Sequence, residues 1–500
     1  MRRKPRGRSM RRRTTTPPAC ATMLRARGRR GIDGVRLRTL SGLDAGFLYL
    51  EASGTPMHVG SLMLLRPPKR RGYELHRALK VLIAERLPKA RALKRVLIDA
   101  PLELGHPMWG EAARIDIDHH VRAETLPRPG SMAQLLRRVA ELHADLLPRD
   151  RPLWQLVVIA GLASGETALY SKIHHALLDG QGGVALAQVL LDLAPRIPKR
   201  PTVDESASAT RLPGTRARAQ TAVRATTSQF ARLLRALPAA FRLARVAVTE
   251  PGALGKLRES VLLAPKTAFN VHIGRERALA VASIDLARVK RVARGHGVSL
   301  NDVVLAMVAH ALREWLTRRA TLPDEALVVG MPVSLRGSGD GEANNQVSMA
   351  QCPLPTHLAC PLARLRAIHA ATAGIKQRVG ALRELIPTDF PGLAAPLWAA
   401  GLSRLWARGR IAERLPALAN LVVSNVPGPP VELFLAGARL LHHFPVSIVT
   451  HGLALNVTAQ SYGGFLEIGA ISAKDVVARP DAIVRALERG LATLERKLPA

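Results

Sequence analysis

Sixteen histidines are spread through the 500 residues, and three times two of them stand together: His119-His120, His174-His175 and His442-His443. Pairing alone therefore selects nothing. Only the middle pair is followed, at a fixed offset, by Asp179-Gly180. From the residue frequencies a chance HHxxxDG in a chain of this length is expected roughly 0.002 times. An unperturbed imidazole titrates at about 6.5, so it can take a proton from a hydroxyl that attacks a carbonyl and return it to the leaving group. Acyl transfer to an alcohol has that need. On this reading His175 is the general base and His174 supports the motif. Asp179 orients the loop by pairing with an arginine, and Gly180 admits close approach of backbone or substrate.

The base must be held by something rigid. Ala168–His174 reads as a strand ending at the pair, and Gly182-Gly183 precede a helical run, Val184–Leu193. Such a strand-to-loop junction presents a side chain to a cleft from a fixed scaffold. The block from about Leu37 to Pro195 adds strands at Ser61–Arg66 and Val157–Leu162. Apolar spacing predicts helices over Glu74–Leu87 and Met132–Leu146. Residues 196–265 break the pattern with Pro, Ser, Thr and Arg. Within them Thr226 to Val248 sets Phe230, Leu233, Leu237 and Phe241 opposite Arg232, Arg235 and Arg242. That segment is either a helix packed on a domain or one lying in an anionic membrane or droplet surface. From about Thr267 onward a helix is expected over Asn301–Arg318. Strands follow at Ala326–Leu335, Asn345–Leu354, Leu421–Val426 and Leu453–Ser461. A hairpin turn at Ser461–Phe465 leads into Leu466–Ile471, and Asp481–Leu498 closes the chain as a helix. The expected organisation is a disordered basic tail (1–35), an N-terminal domain (36–195), a basic linker (196–265) and a C-terminal domain (266–500). Both domains are mixed α/β.

A net charge of +35 calls for a polyanionic partner or surface, such as anionic headgroups, nucleic acid or a phosphorylated substrate. The first 40 residues carry +13 of it. No zinc finger, RNA-binding aromatic motif or basic repeat supports specific nucleic-acid recognition. Cys20, Cys352 and Cys360 form no CxxC and leave an odd number, so neither a zinc site nor a disulfide framework is expected and a cytoplasmic setting is. No uncharged apolar run reaches the roughly 18 residues a membrane span needs. The nearest, Phe390 to Ser403, contains Pro391 and Pro396.

The ordered landmarks from residue 38 onward resemble the bacterial wax ester synthase/diacylglycerol acyltransferases, within the wider CoA-dependent acyltransferases. They are Leu40–Ala45, Pro56–Gly60, Arg151–Trp154, His174–Gly180, Ser299–Asp302, Met331–Arg336, Asn345–Ser348 and Ser424–Pro429. Gln155 departs from the pattern, which has Glu after Pro-Leu-Trp. The resemblance implies two chloramphenicol-acetyltransferase-like domains with the active-site channel at their interface. It also implies acyl-CoA as co-substrate, no bound cofactor and no metal, and diacylglycerol or a fatty alcohol as acceptor. The expected setting is cytoplasmic, peripheral to the inner membrane or to lipid inclusions, with oligomeric state left open. Asn301 is a candidate oxyanion donor, equally readable as the cap of its helix. Asp302 and Arg336 stand beside it as oxyanion or structural candidates, Arg336 being the expected partner of Asp179. Pro152-Leu153-Trp154 reads as packing, and Ser424-Asn425 as a turn.

Two rival readings share parts of the pattern. A peptide-bond-forming condensation domain or a polyketide-lipid acyltransferase also carries HHxxxDG, but works on carrier-bound substrates. A basic lipid-surface or nucleic-acid-binding protein on an inactive acyltransferase fold is the other.

Overall fold

The computed structural model describes residues 38–100, 106–112, 114–177, 182–198, 227, 262–334, 347–382 and 411–498. All but the start of the chain falls in one compact unit, Val35–Ala500. The expected tail, and all but Thr227 of the amphipathic segment Thr226–Val248, lie outside the described residues, as do Asp179, Gly180 and Arg336.

In the first part of the chain the strands are β1 (Arg38–Thr39), β2 (His58–Arg66), β3 (Arg95–Ile98), β4 (Met108–Glu111), β5 (Val121–Thr125), β6 (Trp154–Ala160) and β7 (Thr167–His174). Its longer helices are α1 (Gly42–Leu50), α2 (Leu75–Arg86), α3 (Met132–Ala144) and α4 (Gly182–Leu190). The later part supplies β8 (Arg277–Asp285), β9 (Leu327–Ser334), β10 (Val347–Leu354), β11 (Leu421–Val426), β12 (Phe434–Leu435), β13 (Ala438–Val446), β14 (Leu455–Tyr462) and β15 (Phe465–Ala473). Its longer helices are α5 (Leu286–Gly295), α6 (Leu300–Thr317), α7 (Pro361–Leu382) and α8 (Asp481–Glu495).

Two mixed six-stranded sheets result, in the orders β12-β13-β2-β7-β6-β5 and β10-β9-β11-β14-β15-β8, with a small sheet β1-β4-β3 beside them. The first sheet is apolar on both faces. Met63, Leu65, Leu169 and Ile173 pack on Leu75, Leu79 and Leu82 of α2 and on Val189 and Leu190 of α4. The alternate residues Leu62, Leu64, Ala168 and Tyr170 pack on Leu135 and Val139 of α3, together with Leu279 and Ile471 of the second sheet. The second sheet buries its other face against α5, α6, α7 and α8. The capping box Ser131/Gln134 starts α3 and Ser299/Asp302 starts α6, each satisfying donors that a first helical turn leaves open.

The structure adds one strand pairing and corrects two readings. Strands from the chain before residue 196 and after residue 265 share one sheet. β12 and β13 come from the C-terminal half, and β13 pairs antiparallel with β2 from Arg439↔Arg66 to Val446↔Gly60. While doing so β13 crosses over β15. A Cβ on Gly469 would sit 1.8 Å from the Pro445 carbonyl oxygen, so only glycine fits beneath the crossing. The helix after the histidine motif also begins at Gly182 and ends at Leu190, taking both glycines into its first turn. The hairpin turn is as expected, with Tyr462 opposite Phe465 and both Gly463 and Gly464 at positive φ. Ser424 and Asn425 lie inside β11, two and one residues before its end at Val426, which corrects their reading as a turn.

Candidate active site

β7 carries the motif to the strand end, where His175 turns into a short 3-10 segment, His175–Leu177. The main chain there is fastened on both sides. The His174 N–H donates to Leu153 O at 2.9 Å, and the His175 N–H donates to Met57 O at 2.8 Å. Beside it α1 begins at the cap Ser41, whose hydroxyl accepts from Asp44 N, and presents Phe47 to the His175 ring, centroids 3.8 Å apart and 22° from parallel. His175 keeps partial exposure while its Nδ1 is enclosed without a well-formed hydrogen bond. Burial, with His174 alongside, pushes the His175 pKa down to about 4, against a smaller opposing pull from its own backbone carbonyl. The ring is therefore neutral at pH 7, the state a proton acceptor needs.

His174 faces the other way, fully buried. Its Nδ1 accepts from Ala176 N at 3.1 Å, which leaves Nε2 to carry the hydrogen. That Nε2 lies 3.1 Å from Glu51 Oε1, off the line of a well-formed hydrogen bond. Glu51 ends α1 and is itself almost wholly enclosed. Its carboxylate accepts from Met57 N at 3.3 Å and from Arg149 Nη2 at 2.9 Å, while the same guanidinium donates to Leu48 O. Burial raises the Glu51 pKa, but His174 and Arg149 outweigh it, so the carboxyl titrates below its ordinary range. One carboxylate thus ties together α1, the start of β2 and the histidine turn.

Behind the motif lies a neutral histidine cluster around a buried cation. His58 stands opposite His174 in the β2–β7 register. Its Nε2–H donates to His143 O at 2.7 Å. His143 donates from Nε2 to Ser447 O at 2.9 Å and accepts at Nδ1 from Tyr170 OH at 2.7 Å. Lys172 Nζ donates to Leu142 O and Asp145 O, both at 2.8 Å, capping the end of α3. Burial holds His58 well below its ordinary pKa and pushes His143 down to about 3, and the charge of Lys172 adds to both. Burial likewise lowers Lys172 to about 8. Gln155 faces Lys172 across β6–β7, so no carboxylate neutralises the ammonium from that strand.

The structure brings His174 and His175 to one turn, as the motif predicts, and places other candidates elsewhere. Asn301 is the second residue of α6 and half-buried; the cap is Ser299, so the capping role considered for Asn301 is corrected. Asp302 is buried, accepting from Ser299 N at 2.9 Å, from Thr372 Oγ1 at 2.7 Å, and pairing with His369 Nδ1 at 2.8 Å. Those contacts make it a structural carboxylate joining α6 to α7. Trp154 is packing, its Nε1 donating to Leu93 O at 2.8 Å. Glu51, Phe47 and Lys172 were not singled out from sequence. The available signal was polar residues on an inward alternation, Lys172 and His174 following Ala168 and Tyr170 on one strand face.

Between α3 and β8 runs a groove of about 680 Å³ floored by Leu136, Ala140, Ala278 and Leu279. Arg277 at its side donates to Gly54 O, three residues beyond Glu51. Among the described residues no group of His, Cys, Asp or Glu is arranged to hold a metal ion.

Comparison with known proteins agrees over most of the chain. Residues 40–304 match the wax ester synthase/diacylglycerol acyltransferase catalytic domain, and residues 343–495 match the C-terminal domain of the same group. A Mycobacterium tuberculosis protein assigned to the diacylglycerol O-acyltransferases is 36% identical over 91% of this chain and 99% of its own. An O-acyltransferase of Acinetobacter baylyi is 32% identical over 92% and 97%. The solved wax ester synthase/diacylglycerol acyltransferase of Marinobacter aquaeolei superposes with a TM-score of 0.64 at 29% identity, covering 92% of this chain and all of that one. A trichothecene 15-O-acetyltransferase of Fusarium sporotrichioides, at 11% identity and a TM-score of 0.53 over 92% and 95%, shares the fold.

Proposed function

The chain belongs to the wax ester synthase/diacylglycerol acyltransferase family, and from that premise we propose that it moves a fatty acyl group from acyl-CoA to diacylglycerol, and to a fatty alcohol, with His175 as general base. The observation that carries the mechanism is a neutral imidazole, anchored by main-chain bonds at a strand end and still partly exposed. With Nδ1 enclosed, Nε2 is the nitrogen left to take the hydroxyl proton. The alkoxide oxygen bonds to the thioester carbon as that proton leaves, giving a tetrahedral oxyanion. Collapse breaks the C–S bond, and the imidazolium returns its proton to the departing sulfur, releasing ester and free CoA thiol.

Asn301 is the proposed oxyanion donor. Asp302 is excluded from that role because its oxygens are occupied by Ser299, Thr372 and His369. Asp179 is proposed to hold the motif loop by pairing with Arg336, and Gly180 to leave room for substrate. The groove between α3 and β8, apolar on its floor and lying between the two sheets, is the proposed bed for an acyl chain. Among the described residues no helix is long and apolar enough to cross a membrane. Work on water-insoluble acceptors is therefore assigned to the surface of the inner membrane or of lipid inclusions.

The test is ester formation by the full chain from palmitoyl-CoA with diacylglycerol or hexadecanol, run beside His175→Ala. Removing a general base lowers the rate by roughly 10² or more. Unchanged turnover in a folded variant would refute the assignment.

A further inference from the structure

Among the described residues, four large aliphatic side chains gather at one edge of the second sheet. Leu263, Met349, Leu415 and Leu418 are between 49% and 59% exposed. Ala264 and Ala417 form an antiparallel bridge, which sets Leu263 opposite Leu418 on the outer side while Ala264 turns inward. Gln351 of β10 fastens the pair, its Nε2 donating to Leu262 O and Leu418 O. Met349 is two residues away on the same face of β10, its methyl packed over Gly330 and beside Ala419. Lys266 and Arg414, both exposed, stand at the rim.

We propose that this edge seats the enzyme on an anionic phospholipid bilayer, with the four side chains among the acyl chains and Lys266 and Arg414 at headgroup level. The proposal rests on the reading of the chain as an acyltransferase of water-insoluble acceptors and names the surface through which it reaches them. Two observations select this occupant. Four half-exposed aliphatic side chains make a compact apolar patch of the kind that is functional on monomers, well short of the ~800 Å² per partner that a stable dimer buries. A second copy carrying the same +35 charge would be repelled, whereas anionic headgroups attract it.

The experiment is flotation of the full chain with vesicles of phosphatidylcholine and phosphatidylglycerol, at low salt and at about 0.5 M, where charge attraction is largely screened. The wild type should float under both conditions. Leu415→Ser/Leu418→Ser should lose at least about tenfold in vesicle affinity, most visibly at high salt. Met349→Gln, on a different element, should lose a smaller factor in the same direction and stands in if the double variant does not fold. Leu193→Ser alters a side chain that is 76% exposed but follows α4 beside the first sheet, and should float as the wild type does. Equal flotation of wild type and patch variants overturns the proposal. So does a wild-type dimer in light scattering that the double variant splits. Ester formation from a short acyl-CoA and a water-soluble alcohol separates the two levels. If it persists while the patch variants float normally, docking alone fails; if the wild type makes no ester, the acyltransferase reading fails.

Discussion

Replacing Glu51 with alanine removes one carboxylate and leaves three partners behind. Met57 N–H and the His174 Nε2 edge lose their acceptor inside the protein, and Arg149 keeps only Leu48 O. Breaking a well-buried ion pair costs about 3–5 kcal/mol. Arg149, however, is 49% exposed and rehydrates, so its share is screened. An expected loss of about 2–3 kcal/mol follows, most of it from the enclosed Met57 N–H at about 1–3 kcal/mol, since the His174 Nε2 contact is not a well-formed hydrogen bond. Glu51→Gln keeps the volume and an acceptor for Met57 and should cost about half as much. The effect on rate is the sharper prediction. Glu51 touches no reacting atom here; it positions the turn that holds His175. A shift of about 1 Å at the base costs roughly 10² in rate, so Glu51→Ala should lower kcat by that order with KM for acyl-CoA little changed, and Glu51→Gln should restore much of it. Urea unfolding gives the stability, and release of CoA thiol read with a chromogenic disulfide gives the rate. A folded Glu51→Ala enzyme with wild-type kcat would show that the turn does not depend on this carboxylate.

The base must be neutral to act, and its pKa is pushed down to about 4. The acid limb of kcat/KM should therefore fall through about pH 4, and a limb near 6.5 would contradict the buried ring. Stability behaves differently. His58, His120, His143, His443 and His451 are all held neutral by burial and protonate readily only when unfolded. Their depressed folded pKa values give a contribution fully present above about pH 6.5 and lost as pH falls toward 4, each up to about 1.4 kcal/mol per pH unit. The urea midpoint should accordingly drop steeply between pH 7 and pH 5. Gly469→Ala forces a methyl group against Pro445 O and should destabilise by about 1–3 kcal/mol in a denaturant titration, while leaving the histidine turn untouched.

The sequence spoke clearly wherever local pattern and tertiary role coincide. β7 reads as a strand because an almost wholly buried apolar run ends at the motif, and β2, β6, α2, α3, α6 and α8 fall within a few residues of their apolar spacing. β8 and β13 were not read. β13 contains His442-His443 and Pro445, which lower its strand signal, and its partner β2 lies some 370 residues earlier. Its place is set by a contact that no window of sequence contains. Glu51 was invisible for a similar reason. It stands between two recognised landmark runs, and only the fold brings its carboxylate to His174. Asn301 is readable from sequence as an oxyanion donor or equally as a cap, whereas Ser299 two residues earlier supplies the hydroxyl that α6 uses.

The strand exchanged between the halves has a consequence for synthesis. As the ribosome emits the chain, β2 and β7 are out early, but the partner for the free edge of β2 arrives only with residues 438–446. Until then a nine-residue apolar strand has an open ladder of N–H and C=O groups, a surface that invites pairing with other nascent chains. Truncation before β13 should therefore yield an aggregating fragment, and productive folding is timed by the arrival of residues 438–446.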